Sequence, residues 1–195
     1  MQIHQINTFD FLRFTFMNQR IIENPVMNER IEFITTAAET NGTSLEFYQT
    51  LFRPRSGFIK EHVHFDIDET FEIMEGIATY SINLVSKAAL RGEVVFIPRG
   101  IRHINPYNKH NEKLVLKRTL YPDGGLEMFY RKLYQLAREG KLNRNGEPGL
   151  LQISVIARNN LTQTYFTFLP VSVQKIVFYI LGNVGEWLGY KHTPN

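Results

Sequence analysis

Between residues 30 and 121 the sequence alternates apolar and polar side chains in short runs, each closed by glycine, proline or asparagine. Successive side chains on a strand point to opposite faces, so such alternation marks strands with one buried side. "RIEFITTA" sets Ile31, Phe33 and Thr35 against polar neighbours, and "SLEFYQTL" does the same with Leu45, Phe47, Gln49 and Leu51. The Asn41-Gly42 pair between them is a strong hairpin signal. "TFEIM", "IATYSINL", "EVVFIP" and "KLVLKRTLYP" extend the series, punctuated by Gly57, Gly76, Gly92 and Gly100. Many short strands at near-even spacing predict a sandwich or barrel.

The pattern changes after "YPDGG". Leu126, Phe129, Tyr130, Leu133, Leu136 and Ala137 recur at helical spacing, and Gly140 stands where a C-cap belongs. "EPGLLQISVIARNN" suits a second helix, although its Ile and Val content also suits a strand. "LPVSVQKIVFYILGNVGEWLGY" predicts a third helix, with Pro170 near its start and Val173, Val177, Ile180, Val184 and Trp187 along one face. We therefore expect a β-domain over residues 1–121 and a C-terminal helical extension over 122–195. The long apolar face of the last helix leads us to expect that it packs across the open face of the β-domain. A dimer contact, or a helix lying flat on a membrane through Trp187 and Tyr190, are the alternatives. Gly182, Gly185 and Gly189 on another side imply close backbone packing or an early helix end. The first 29 residues go with the β-domain, "FDFLRFTF" as a strand and a phenylalanine-rich surface for a homodimer.

Composition narrows the chemistry. The chain of 195 residues has no cysteine, which excludes disulfides, zinc–thiolate and iron–sulfur sites, so any metal must sit on nitrogen and oxygen ligands. Net charge is +3, but Lys and Arg are scattered, so nucleic acid is not an expected partner. No basic segment followed by an apolar stretch opens the chain, and no run reaches the roughly 18 apolar residues of a spanning helix. A cytoplasmic location is the expectation.

The stretch "EHVHFDIDETFEIMEG" carries the functional signal. His62 and His64, two apart on a strand, converge on one face. After a polar turn, Glu69 shares a face with Phe71 and Ile73, which would bury a carboxylate among apolar neighbours. A lone buried carboxylate is costly and needs a partner charge or a metal. Downstream, "GEVVFIPRGIRHINPYN" holds a glycine, a strand, a Pro98-Arg99-Gly100 turn and His103.

Together these two stretches resemble the cupin superfamily. Its first motif, G-x(5)-H-x-H-x(3,4)-E-x(6)-G, is matched from Gly57 through His62, His64 and Glu69 to Gly76, with four rather than five residues before His62. Its second, G-x(5)-P-x-G-x(2)-H-x(3)-N, is matched at Gly92, Pro98, Gly100 and His103; Tyr107 stands at the final position, flanked by Asn105 and Asn108. The resemblance implies a double-stranded β-helix, or jelly-roll barrel, followed here by α-helices. It also implies one divalent metal ion on His62, His64, Glu69 and His103. Three imidazoles and one carboxylate suit Fe, Mn, Ni, Co or Zn. Arg55, Tyr80, Arg102 and Tyr107 are candidates for substrate binding, and no residue is assigned to a catalytic step. The resemblance implies a small metalloenzyme of dioxygenase, isomerase or decarboxylase type acting on an oxygen-rich small molecule. The alternative is a non-catalytic binding or sensing module with a structural or ligand-anchoring metal. A homodimer is expected, because cupins commonly pair and sheet edges need cover.

Overall fold

A computed structural model describes residues 19–54, 56–57, 59–159 and 164–194. The "FDFLRFTF" strand and Arg55 lie outside the described residues. The chain runs through ten strands, β1 (Ile21–Asn24), β2 (Glu29–Thr35), β3 (Leu45–Leu51), β4 (His62–His64), β5 (Asp68–Glu75), β6 (Ile77–Ile82), β7 (Val85–Leu90), β8 (Val94–Ile97), β9 (His103–Asn108) and β10 (Leu114–Tyr121). Helices α1 (Leu126–Arg138) and α2 (Leu150–Asn159) follow, then strand β11 (Thr164–Phe166) and helix α3 (Val171–Trp187).

Two antiparallel sheets face each other, ordered β1-β2-β3-β10-β5-β8 and β11-β4-β9-β6-β7. Consecutive strands alternate between the sheets along much of the chain, which is the jelly-roll solution to edge exposure. The alternation read in β3 and β10 holds to the residue: every second side chain is buried. Residues from both sheets meet in the interior; Leu51, Phe71, Ile73, Val95 and Leu116 of the first pack with Ala78 and Ala89 of the second.

Three departures from the sequence expectations have local causes. The β2–β3 hairpin has a longer loop than Asn41-Gly42 implies, because a 3-10 turn at Ala38–Thr40 precedes Asn41, which caps it in the left-handed region. "IATYSINL" is broken at Asn83 and Leu84, both at positive φ, so that β6 turns into β7 through a two-residue hairpin loop. Finally, β9 carries Pro106 inside a strand. Ile104 pairs with Ser81 and Tyr107 with Thr79, so Asn105 and Pro106 together oppose Tyr80. Such a bulge leaves a residue outside the ladder, which is where a proline without an N–H is tolerated.

Helix α1 behaves as its spacing predicts. Leu126, Tyr130 and Tyr134 close one end of the core against Ile22, Phe33, Phe47 and Leu120, with Phe129 and Leu133 packed beside them. Gly140 ends it in a Schellman arrangement, its N–H donating to the Ala137 carbonyl while Lys141 donates to Leu136.

Helix α3 corrects the expectation of packing across the β-domain. Val173, Val177, Ile180, Val184 and Trp187 are exposed, Trp187 at 84%. The face that is buried carries Gln174, Gly182 and Gly185. A Cβ at Gly185 would sit 2.6 Å from Val155 Cγ2, and one at Gly182 would sit 3.1 Å from the Ser154 carbonyl oxygen. The glycines thus let the α2 and α3 backbones approach, while Gly189 at positive φ lies just past the helix end. Gln174 ties α3 to the barrel: its amide donates to the Phe166 and Leu169 carbonyls and accepts from the Phe166 N–H. Among the described residues no helix is long and apolar enough to cross a membrane.

Candidate metal centre

Strand β4 is three residues long and all three are buried. Its His62 pairs in register with His103 of β9, which sets two imidazoles side by side at a ring separation of 4.3 Å. On the other edge of β4, Thr164 and Phe166 of β11 pair with His64 and His62. Glu69 enters from the facing sheet, at the start of β5. The turn between β8 and β9 locks the two motifs together. Asp68 accepts hydrogen bonds from the Arg99 backbone and guanidinium, and the Gly100 N–H donates to the His64 carbonyl at 2.6 Å.

The outcome is a buried group of four, His62, His64, Glu69 and His103, whose ligand atoms lie within 4.8 Å of one another. The outer nitrogens of the rings are already engaged. His62 Nδ1 is 2.8 Å from the Lys60 carbonyl, His103 Nδ1 is 2.8 Å from the Ile101 carbonyl, and His64 Nδ1 is 2.7 Å from Thr164 Oγ1. A carbonyl can only accept, so Nδ1 of His62 and of His103 carries the proton. In the neutral ring that leaves a lone pair on Nε2.

The inner ring nitrogens meet a carboxylate. Glu69 Oε2 is 3.1 Å from His103 Nε2 and 3.6 Å from His64 Nε2. Burial, aided by the neighbouring imidazoles, pushes His62 well below its ordinary value and also lowers His64. Burial alone would raise the Glu69 carboxyl; His64, His103 and Arg118 outweigh it and hold the group well below the usual carboxylate range. Of these three, Arg118 is the permanently charged group. Nitrogen lone pairs and a carboxylate oxygen crowded into one buried space are complementary to a cation. The donor set is compatible with a divalent metal ion, and its identity is left open by ligands that many such ions accept.

Arg118 is the residue that motif reading missed. It is 2% exposed and donates through Nη2 to Glu69 Oε1 at 2.8 Å. Through Nη1 it reaches Gln49 Oε1 at 3.1 Å and the Tyr130 hydroxyl of α1 at 2.7 Å. Its guanidinium carbon stands 4.6 Å from the centre of the Phe71 ring. Gln49 in turn hydrogen-bonds Glu29, whose carboxylate accepts from the Gly57 N–H at 2.6 Å and the Tyr134 hydroxyl at 2.8 Å. Register explains the alignment. Glu69 faces Leu120, two residues from Arg118; Arg118 faces Phe47, two from Gln49; Gln49 faces Ile31, two from Glu29. Diagonal neighbours on one sheet face lie within reach of long side chains. The four polar residues therefore form one oblique line across adjacent strands. That line separates two apolar clusters, one around Phe47 and Leu120 and one around Phe71 and Leu116.

The substrate candidates are dispersed. Tyr80 is half-buried against the Phe71 cluster, opposite the β9 bulge. Tyr107 pairs with Thr79, and its Cβ would lie 3.1 Å from a Cβ at Gly57. Arg102 is exposed and bonded to Glu61 at 2.8 Å. Nearer the centre in sequence, Asn105 is buried two residues beyond His103, and its Oδ1 has no hydrogen-bond partner among the described residues.

No protein-family model and no curated protein matches the sequence. Solved structures do resemble it. A Cupin 2 conserved barrel domain protein from Salinispora arenicola is 17% identical, with 68% of this chain and 98% of that one covered at a TM-score of 0.41. A predicted oxalate decarboxylase from Thermotoga maritima is 18% identical over 48% of this chain and 80% of its own, with a TM-score of 0.43. A sugar phosphate isomerase from a cupin superfamily, from Silicibacter pomeroyi, is 15% identical over 50% of this chain and 62% of its own, at 0.42. Two antiparallel sheets that face each other, with consecutive strands alternating between them, make a jelly-roll barrel.

Proposed function

We propose that the chain holds one divalent metal ion on His62, His64, Glu69 and His103 and works as a small metalloenzyme on an oxygen-rich small molecule. The observation that carries this reading is the buried group of imidazole nitrogens and one carboxylate oxygen, with the outer nitrogens tied to carbonyls and a hydroxyl. Such outward hydrogen bonds fix the tautomer and orientation of metal-bound histidines. A bound ion would act there as a Lewis acid toward an oxygen ligand. The chain's own residues orient and exclude. Arg118 fixes the Glu69 carboxylate, Thr164 fixes the His64 ring, and the unpartnered Asn105 Oδ1 suits a ligand that brings a hydroxyl or amine donor.

Metal analysis of the purified protein tests the first half. We expect one divalent ion per chain, lost in the His62→Ala/His64→Ala variant while the β-rich circular dichroism persists. Full occupancy in that variant overturns the ligand assignment. The second half is tested by oxygen uptake and turnover against catechols, flavonols, keto acids and thiols. For an enzyme, exchanging the metal changes turnover far more than melting temperature. A sharp fall in melting temperature on chelation, with no turnover in the panel, indicates instead a binding module with a structural ion, whose binding free energy is folding free energy.

A further inference from the structure

We propose that Arg118 is a positioning residue which confines Glu69 to ligation through a single oxygen, and that helix α1 enforces this through Tyr130. The inference rests on the metal reading above and specifies how its one carboxylate is presented.

A free glutamate can offer a cation one oxygen or both. Here the two oxygens are in different hands. Oε2 faces His64 and His103 at 3.6 and 3.1 Å, whereas Oε1 receives Nη2 of Arg118 at 2.8 Å. The guanidinium cannot drift from that position. It is fully enclosed, stacked near Phe71, and anchored at Nη1 by both Gln49 and the Tyr130 hydroxyl. Planar, multi-donor and permanently charged, an arginine can serve three acceptors at fixed angles, which a lysine cannot. The Gln49 and Tyr130 acceptors satisfy Nη1 of the buried guanidinium and at the same time set the direction in which Nη2 meets Oε1.

The full-length chain and Co(II) test this. Affinity is measured by chelator competition, and the coordination environment by the visible absorption of the bound ion. Wild type is expected to take up one Co(II) per chain. Arg118→Met and Arg118→Lys should weaken binding by about tenfold or more, the range for lost outer partners of metal ligands. They should also lower the intensity of the Co(II) bands, because the released Oε1 raises the coordination number. Tyr130→Phe removes only the anchoring hydroxyl and should produce the same spectral change at a smaller affinity loss of about threefold. Wild-type affinity and unchanged bands in folded Arg118 variants overturn the proposal. If those variants fail to fold, unchanged affinity and bands in Tyr130→Phe overturn it. Absence of Co(II) uptake by the wild type overturns the metal reading itself, and this proposal with it.

Discussion

The inner face of the six-stranded sheet and the outer face of helix α3 break the same rule in opposite directions. On the sheet, Glu29, Gln49, Arg118 and Glu69 are buried at positions where alternation calls for apolar side chains. On α3, Val173, Ile176, Val177, Ile180, Val184 and Trp187 are exposed where amphipathic spacing calls for a core. The sheet compensates each exception one strand away, so that every polar residue in the oblique line bonds to the next. The helix is held by its other face, where Gly182 and Gly185 admit the backbone of α2. Burial in these two regions follows partner availability along the polar line and backbone proximity between α2 and α3, and in neither place hydrophobicity alone.

Substitutions can break that contrast, starting with the sheet. Arg118→Ala leaves the Glu69 charge buried without its partner and should cost about 3–5 kcal/mol in the metal-free protein, read from denaturant unfolding. Replacing the pair together, as Glu69→Leu/Arg118→Met, should recover most of that loss, because buried ion pairs rarely outperform apolar residues of similar volume. If the double variant is no more stable than the single, the oblique line is a stability device rather than a site support.

A smaller effect is expected between α2 and α3. Gly185→Leu places its Cβ against Val155 Cγ2 and the Leu151 carbonyl, 2.6 and 3.1 Å away. Overpacking of this kind should cost about 1–3 kcal/mol in thermal unfolding. Glu29 gives a pH signature at the far end of the polar line. Burial raises its carboxyl above the ordinary 4.5, against hydrogen bonds from Gly57, Tyr134 and Gln49. The folded state then binds more protons than the unfolded one, so this contribution to stability grows as pH falls through the folded value and is complete below 4.5. The melting temperature of wild type relative to Glu29→Gln should therefore rise as pH falls from about 8 to about 5. An unchanging difference would mean that Glu29 titrates as it does in the unfolded chain.

The smallest effect belongs to the exposed arc. Ile176→Ser with Ile180→Ser should shift the stability of the protein by no more than about 0.5 kcal/mol per site. A loss well above that would show that another molecule covers the face in solution.

Much of the barrel was legible because a half-buried strand writes its burial into every second residue. Where burial is one-sided in another way, the signal fails. Strand β7 exposes all but Ala89 of its six residues, so no alternation marks it. Strand β9 hides behind Pro106, which only a bulge explains. Spacing put His62 and His64 on one face and Glu69 on an inward one, and the resemblance of two stretches to the cupin motifs completed the four ligand candidates with His103. Arg118 was half legible: Leu114, Leu116 and Leu120 establish an inward phase, and a charge at the next inward position asks for a partner. That the partner is Glu69 depends on register between strands, and the contributions of Tyr130 and Thr164 depend on how distant segments return. For α3, periodicity grouped the residues by face without saying what each face meets. Its glycines carried that information.

The return of β11 has a consequence for how the protein is made. All four ligand candidates have been synthesised once residue 103 is in place. His64, however, finds its outer hydrogen-bond partner in Thr164, 100 residues later in the chain. On a ribosome the quartet must wait, its ring orientation unfinished and one edge of β4 open, through the synthesis of the rest of β9, strand β10 and helices α1 and α2. Contacts so distant in sequence form late, after the loop-closure entropy of the whole intervening chain has been overcome. On the metal reading proposed above, the ring orientation that would discriminate between ions is complete only in the finished fold.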